Sequence, residues 1–178
     1  MDRRVRKTRE ALYSAFVSLI AEKGYDRLSI QDILDAADVG RTTFYSHFRT
    51  KEDLLRFGFE RLRSELSDVL DVGQEERWAF LEPLLHHARA HAGLFRALSE
   101  GGGAELAEGQ FVQIIEDLVA TAIGDGEKGS LQVAMMVGAL LAGIRTWIAS
   151  GGARGGEGVI VGSMRAIATA LATAQARA

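Results

Sequence analysis

Apolar residues in this chain recur at three- and four-residue spacing, and the apolar-polar alternation that a strand needs is nowhere sustained. That pattern confines the chain to an all-α fold. Proline occurs once and glycine 20 times, with the glycines gathered at a few places, so the chain reads as long helices separated by glycine-rich joints. A chain of 178 residues buries roughly 70% of its unfolded surface and folds without staples.

The first helix carries Leu12, Ala15, Phe16, Leu19 and Ile20 on one face, and Gly24 stands where a left-handed residue would stop it. Ser29 and Asp32 have the spacing of a capping box, since the hydroxyl can accept a first-turn amide while the carboxylate favours the positive helix end. Ile30, Ile33, Leu34 and Ala37 then give a second helix, which ends before the turn Asp38-Val39-Gly40. A third, very short helix runs to about Phe48, with Gly40 at its N-cap and with Val39 and Phe44 spaced as a hydrophobic staple. Thr50 and Asp53 repeat the capping logic and open a fourth helix whose apolar face is Leu55, Phe59, Leu62, Leu66 and Val69. Further helices are expected over 75–91, 94–99, 106–123, 131–149 and 159–174, and Pro83 either kinks the first of these or marks its beginning.

A capped helix, a short turn containing glycine and a second short helix, spanning Ser29 to Phe48, form the layout of a helix-turn-helix. At 100° per residue Phe44 and Phe48 face the core, and Arg41, Thr42, Tyr45 and Ser46 lie opposite. One guanidinium and three hydroxyls, without a carboxylate, suit phosphates and base edges. Lys51 adds an ammonium at the next helix N-terminus, where backbone amides already favour an anion. The formal net charge of −3 argues against a nucleic-acid partner until it is divided: residues 1–63 hold 13 basic and 10 acidic side chains, the remainder 8 and 14. Arg3, Arg4, Arg6, Lys7 and Arg9 crowd the N-terminus, a block that either attracts phosphate or is simply a solvated end.

The run Ser29-Ile30-Gln31-Asp32-Ile33-Leu34-Asp35-Ala36-Ala37-Asp38-Val39-Gly40-Arg41-Thr42-Thr43-Phe44-Tyr45-Ser46-His47-Phe48-Arg49-Thr50-Lys51-Glu52-Asp53-Leu54-Leu55 closely resembles the DNA-binding signature of the TetR/AcrR family of regulators. With the preceding helix the resemblance covers about the first 65 residues. It implies an N-terminal three-helix DNA-binding domain, a long connecting helix and a C-terminal helical domain for ligand binding and dimerisation, placed here at 1–50, 51–73 and 74–178. It further implies a homodimer that represses transcription from a double-stranded DNA operator until a small molecule binds, although activators and coactivators occur among such proteins. Thr43, Tyr45, His47 and Lys51 are implied near DNA, mostly at phosphates, with Arg41 and Thr42 reaching bases. Arg3, Arg4, Arg6, Ser29 and Ser46 complete the expected DNA-binding set. The chain departs from the family turn at Asp38, where glycine is common, and at Gly40, where serine is common; the second change forfeits a capping hydroxyl at a cost of about a few tenths of a kcal/mol.

Other constellations are weaker. His86, His87 and His91 lack the glutamate of a zinc helix and any cysteine partner, so no metal site and no cofactor is expected. The glycine runs lack the lysine and hydroxyl ending of a phosphate loop, and no catalytic set can be placed, which disfavours an enzyme. A helical small-molecule-binding protein without DNA contact is the competing class. Trp78, Phe95, Phe111, Ile114, Leu118, Met135, Met136 and Trp147 either line an apolar effector cavity or form plain core. Val137, Gly138, Leu141, Ile144, Ile160, Met164, Ile167 and Leu171 make stripes suited to a dimer contact or to an intramolecular bundle. The charged N-terminus lacks a signal-peptide pattern, and the apolar run Val133 to Ile144 is shorter than the ~18 residues of a span and is followed by Arg145, so a cytoplasmic protein without a membrane partner is expected.

Overall fold

The structure, a computed structural model, describes residues 3–70, 77–99, 103–124, 130–152 and 155–175; for 68–70, 95, 97–99, 104, 172, 174 and 175 only the backbone is described. The described residues form nine α-helices and no strand: α1 (Arg3–Lys23), α2 (Ile30–Ala37), α3 (Arg41–Tyr45), α4 (Lys51–Leu70), α5 (Leu81–Ala90), α6 (Ala92–Ser99), α7 (Ala104–Ile123), α8 (Leu131–Ala149) and α9 (Gly156–Gln175). The chain divides into two compact units, residues 1–62 with 92–110 and residues 63–91 with 111–178. Thus α6 and the start of α7 group with the N-terminal helices, against whose α1 the helix α6 packs.

In the first unit each helix end has a local cause. Gly24, at φ 78°, closes α1 by donating its N–H to the Ile20 carbonyl at 2.9 Å. Ser29 caps α2 in a complete capping box: its hydroxyl accepts the Asp32 amide at 3.2 Å, and the Asp32 carboxylate accepts the Ser29 amide at 2.9 Å. Asp38 ends α2 at φ 51° and ψ 47°, the left-handed conformation that this residue type tolerates better than most. α3 closes at Tyr45, sooner than its apolar spacing suggests, with Ser46 as C-cap. Asp53 and Thr50 exchange the same pair of cap bonds at the start of α4, each at 3.3 Å. Leu12, Phe16, Ile20, Ile33, Phe44 and Leu54 are fully buried at the centre of this unit, with Phe48 beside them. A Cβ at Gly58 would overlap the Tyr13 ring, so glycine there lets α4 pass close to α1.

Lys23 reaches the Asp32 carboxylate at 2.8 Å, and this hydrogen bond, together with those from Ser29, holds the carboxyl well below the usual carboxylate range. A depressed folded-state pKa gives stability that is present above the unfolded value of about 4 and is lost as pH falls below it. Asp32→Ala is therefore expected to lower the thermal midpoint of the N-terminal unit at pH 7. The gap from the unmodified protein should narrow as both are titrated below pH ~4, read by circular dichroism melts.

The second unit is built on α8, which packs along α9 and against α5. Phe80, Leu81, Leu84, Leu85, Val133, Met136, Leu140 and Met164 fill its interior. Pro83 lies in the first turn of α5, where its missing N–H leaves no helical bond unmade. Ser130 caps α8 through the Val133 amide, and Gly151 and Gly152, both at positive φ, end it with amides on the Ile148 and Trp147 carbonyls at 3.0 and 2.9 Å. Among the described residues α8 is the one helix long and apolar enough to cross a membrane, yet Val133, Met136, Val137, Leu140, Ile144, Trp147 and Ile148 are buried inside this unit.

Four of the eight residues expected at a dimer contact point elsewhere. Val137, Ile144, Ile160 and Met164 are buried within the protomer, because the apolar stripe of α8 faces α9 and α5. Leu141, Ile167 and Leu171 are half-buried and Gly138 is exposed. Among the residues expected to line a cavity, Phe111, Ile114, Leu118, Met136 and Trp147 are buried and Trp78 is half-buried against Phe80, with ring centroids 5.8 Å apart. Met135 is 52% exposed, about 100° around α8 from the buried Met136, and so does not join that buried set. The Phe95 side chain lies outside the described residues.

Candidate nucleic-acid interface

The helix-turn-helix presents α3 with its aromatic side inward. Phe44 is fully buried and stacks edge-on with Tyr45 at 5.3 Å and near Phe48 at 6.0 Å, which fixes the roll of a helix only five residues long. Arg41, Thr42, Thr43, Tyr45 and Ser46 are consequently exposed, and α3 carries no carboxylate. Val39 is half-buried and packs against the same core, in keeping with its place before the N-cap Gly40. Ser46 donates its hydroxyl to the Thr43 carbonyl at 2.7 Å, closing the end of the helix. A concave surface beside it is lined by Tyr45, Ser46, His47 and Arg49 with Arg9 and Arg56, while Asp53 and Glu60 contribute carboxylates.

Lys51 is placed differently from a freely extended ammonium. Its Nζ donates to the Tyr25 carbonyl at 2.8 Å and the Leu28 carbonyl at 3.3 Å, and lies 4.2 Å from the Tyr25 ring centroid. Tyr25 in turn donates its hydroxyl to Glu52 Oε1 at 2.6 Å. Burial, then this bond, push the Tyr25 hydroxyl above its ordinary pKa; burial also pushes the Glu52 carboxyl up, but the Tyr25 hydrogen bond and its companions outweigh it and the net shift is downward. Together these bonds fasten the loop before α2 to the first turn of α4, leaving one ammonium hydrogen for another acceptor.

Arg9 likewise has a structural task within the basic N-terminal block. Its guanidinium carbon lies 4.3 Å from the Phe57 ring centroid and 5.2 Å from that of Phe48, joining α1, α4 and the segment after α3. Arg3, Arg4 and Arg6 occupy exposed positions on the first turn of α1. The Ser29 hydroxyl is engaged by the α2 cap, donating to Asp32 and accepting its amide. The sequence reading did not single out Tyr25 and Glu52, and it gave Arg9 no positioning task; Tyr25 lies 26 residues from Lys51 and 27 from Glu52, so no local spacing marks these contacts.

A capped helix-turn-helix with a hydroxyl-rich, carboxylate-free outer helix is chemically suited to anionic, groove-bearing partners. Residues 8–56 match the bacterial regulatory proteins of the tetR family. The chain is 42% identical over 73 residues to the uncharacterized HTH-type transcriptional regulator YxbF of Bacillus subtilis (strain 168), covering 40% of this chain and 19% of that protein. It is 36% identical over 59 residues to the HTH-type dhaKLM operon transcriptional activator DhaS of Lactococcus lactis subsp. lactis (strain IL1403), covering 33% of this chain and 32% of that protein. The matched segments thus span about a fifth to a third of these two relatives. A TetR transcriptional regulator from Streptococcus agalactiae 2603V superposes with a TM-score of 0.61 at 28% identity, over 83% of this chain and 85% of that one. Local sequence, helix order and this likeness over 83% of the chain agree: residues 8–56 carry the helix-turn-helix segment of the tetR family of bacterial regulatory proteins, and the chain is similar in fold to a TetR regulator.

Proposed function

We propose that the chain is a DNA-binding transcriptional regulator that binds a pseudo-palindromic operator as a homodimer and acts as a cytoplasmic repressor, released by a small apolar ligand. The observation that carries the DNA reading is the exposed face of Arg41, Thr42 and Tyr45 on a helix fixed by Phe44. A five-residue helix is about 7.5 Å long, and fits a major groove about 12 Å wide. Pairing rests on the outer side of α8 and α9, where Leu131 is 77%, Met135 52% and Val159 68% exposed. Ala134, Gly138, Ala139 and Ala142 continue that side of α8, and such small residues permit close approach of a second copy. The effector is assigned to the C-terminal unit, whose buried Phe111, Ile114, Leu118, Met136 and Trp147 would contact an apolar molecule that opens space among them.

An activator reading has its own support in the likeness to DhaS, named as an activator, whose solved structure superposes with a TM-score of 0.72. A reporter gene behind a bound operator separates the two signs: expression rises on deletion of a repressor and falls on deletion of an activator.

The DNA reading is tested by titrating single-base operator variants at several salt concentrations. Arg41→Ala is expected to cost ~1 to 3 kcal/mol at matched sites and relax one base position. Lys51→Ala should weaken all sequences alike, lower the salt slope by about one unit per half-site, and reduce thermal stability because its two carbonyl bonds are lost. Base preferences that survive Arg41→Ala but vanish in Lys51→Ala would overturn this orientation.

A further inference from the structure

The Arg41 guanidinium is tethered at the surface. Its Nη2 donates to Gln31 Oε1 at 3.1 Å, and Gln31 Nε2 donates to Asp35 Oδ1 at 2.8 Å. Gln31 and Asp35 stand one turn apart on α2, and with Asp38 and Arg41 they line a shallow groove between α2 and α3. All three residues of this chain of bonds are exposed, so it contributes nothing to the hydrophobic core.

We propose that Gln31 and Asp35 are positioning residues for base reading, acting through Arg41. A side-chain amide has one donating and one accepting end, and either can be turned toward a neighbour. The Asp35 carboxylate takes the donating end, which turns the Gln31 oxygen to Arg41. One guanidinium N–H is thereby held, and the remaining donors of the planar fork stay available for a base edge with two acceptors, guanine O6 and N7. Restricting the arginine before DNA arrives removes ordering cost from binding, and it sharpens discrimination because a fixed fork accommodates a mismatched edge poorly. A glutamine and a carboxylate on the first helix of the motif thus set how strictly the second helix reads one base.

This rests on the operator reading, and the experiment separates the two. Sequence selection followed by affinity titration against single-base operator variants is run on the unmodified protein, Gln31→Met, Asp35→Ala, Arg41→Ala and the Gln31→Met/Arg41→Ala double variant. Gln31→Met keeps the side-chain length and removes both amide bonds. The expected result is a loss of discrimination of about 3- to 10-fold at the base position that Arg41→Ala also relaxes, with the other positions, the salt slope and the melting temperature unchanged. Asp35→Ala should relax the same position to a smaller extent. In the double variant Gln31→Met should add nothing to Arg41→Ala, as expected when one group acts only through the other. Preferences unchanged in Gln31→Met, relaxation at a different position, or additive effects in the double variant would each overturn the proposal while leaving operator binding intact. Absence of any selected motif with the unmodified protein would overturn the operator reading itself.

Discussion

Phe44→Ala is expected to lower the stability of the N-terminal unit by ~3 to 5 kcal/mol and to abolish operator binding at 25 °C. Phe44 is 0% exposed and is the buried residue of α3, whose five residues cannot hold a helix by propensity alone. Its removal leaves a cavity between α3 and the helices that pack on it. It also frees the roll of Arg41, Thr42 and Tyr45, whose shared orientation is what a groove would read. The loss is a large part of the ~5 to 15 kcal/mol that stabilises a domain, so the melt of the N-terminal unit should move by many degrees. Calorimetry gives the stability change and titration gives the affinity. A variant that melts like the unmodified protein would show that α3 is not anchored through this ring.

The second large effect concerns pairing. A carboxylate at Met135 and another at Ala139 would sit at the centre of the exposed side of α8, where neither side chain fills the protomer's own core. Met135→Glu/Ala139→Glu is therefore expected to fold normally yet sediment as a monomer at micromolar concentration. Its operator affinity should fall by at least ~100-fold, because the second half-site is no longer delivered at high effective concentration. Gly138→Leu acts at the same face, since a side chain there meets open space within the protomer. Gly143→Leu is a poor test of pairing, because its first added carbon already meets Ile160 at 3.6 Å inside the α8–α9 contact. Persistence of a dimer in the double variant would place the contact elsewhere, and a monomeric unmodified protein would remove it.

What the sequence disclosed follows from how far apart the partners lie. Both capping boxes, the left-handed Asp38 and the inward Phe44 depend on residues three or four apart, so periodicity and turn chemistry reveal them. The fastening of Lys51 to Tyr25 and of Tyr25 to Glu52 spans 26 and 27 residues, and no local pattern encodes it. Lys51 read as a plain phosphate ligand for that reason. The stripes on α8 and α9 are ambiguous for a different reason: an apolar stripe states that something covers it, but not whether the cover is the same chain or another copy. Val137, Ile144, Ile160 and Met164 are buried in their own bundle, whereas Leu131, Ala134, Met135, Gly138, Ala139 and Ala142 are exposed on α8.

The central claim, that this helix-turn-helix reads a two-fold operator, is tested most directly by selecting genomic fragments on the purified chain at moderate salt. The account predicts an enriched motif of two half-sites related by a two-fold axis, their centres about one helical turn or a multiple of it apart. Enrichment should weaken steeply as salt rises. Fragments retained without a shared symmetric motif, or no retention at all, would contradict it.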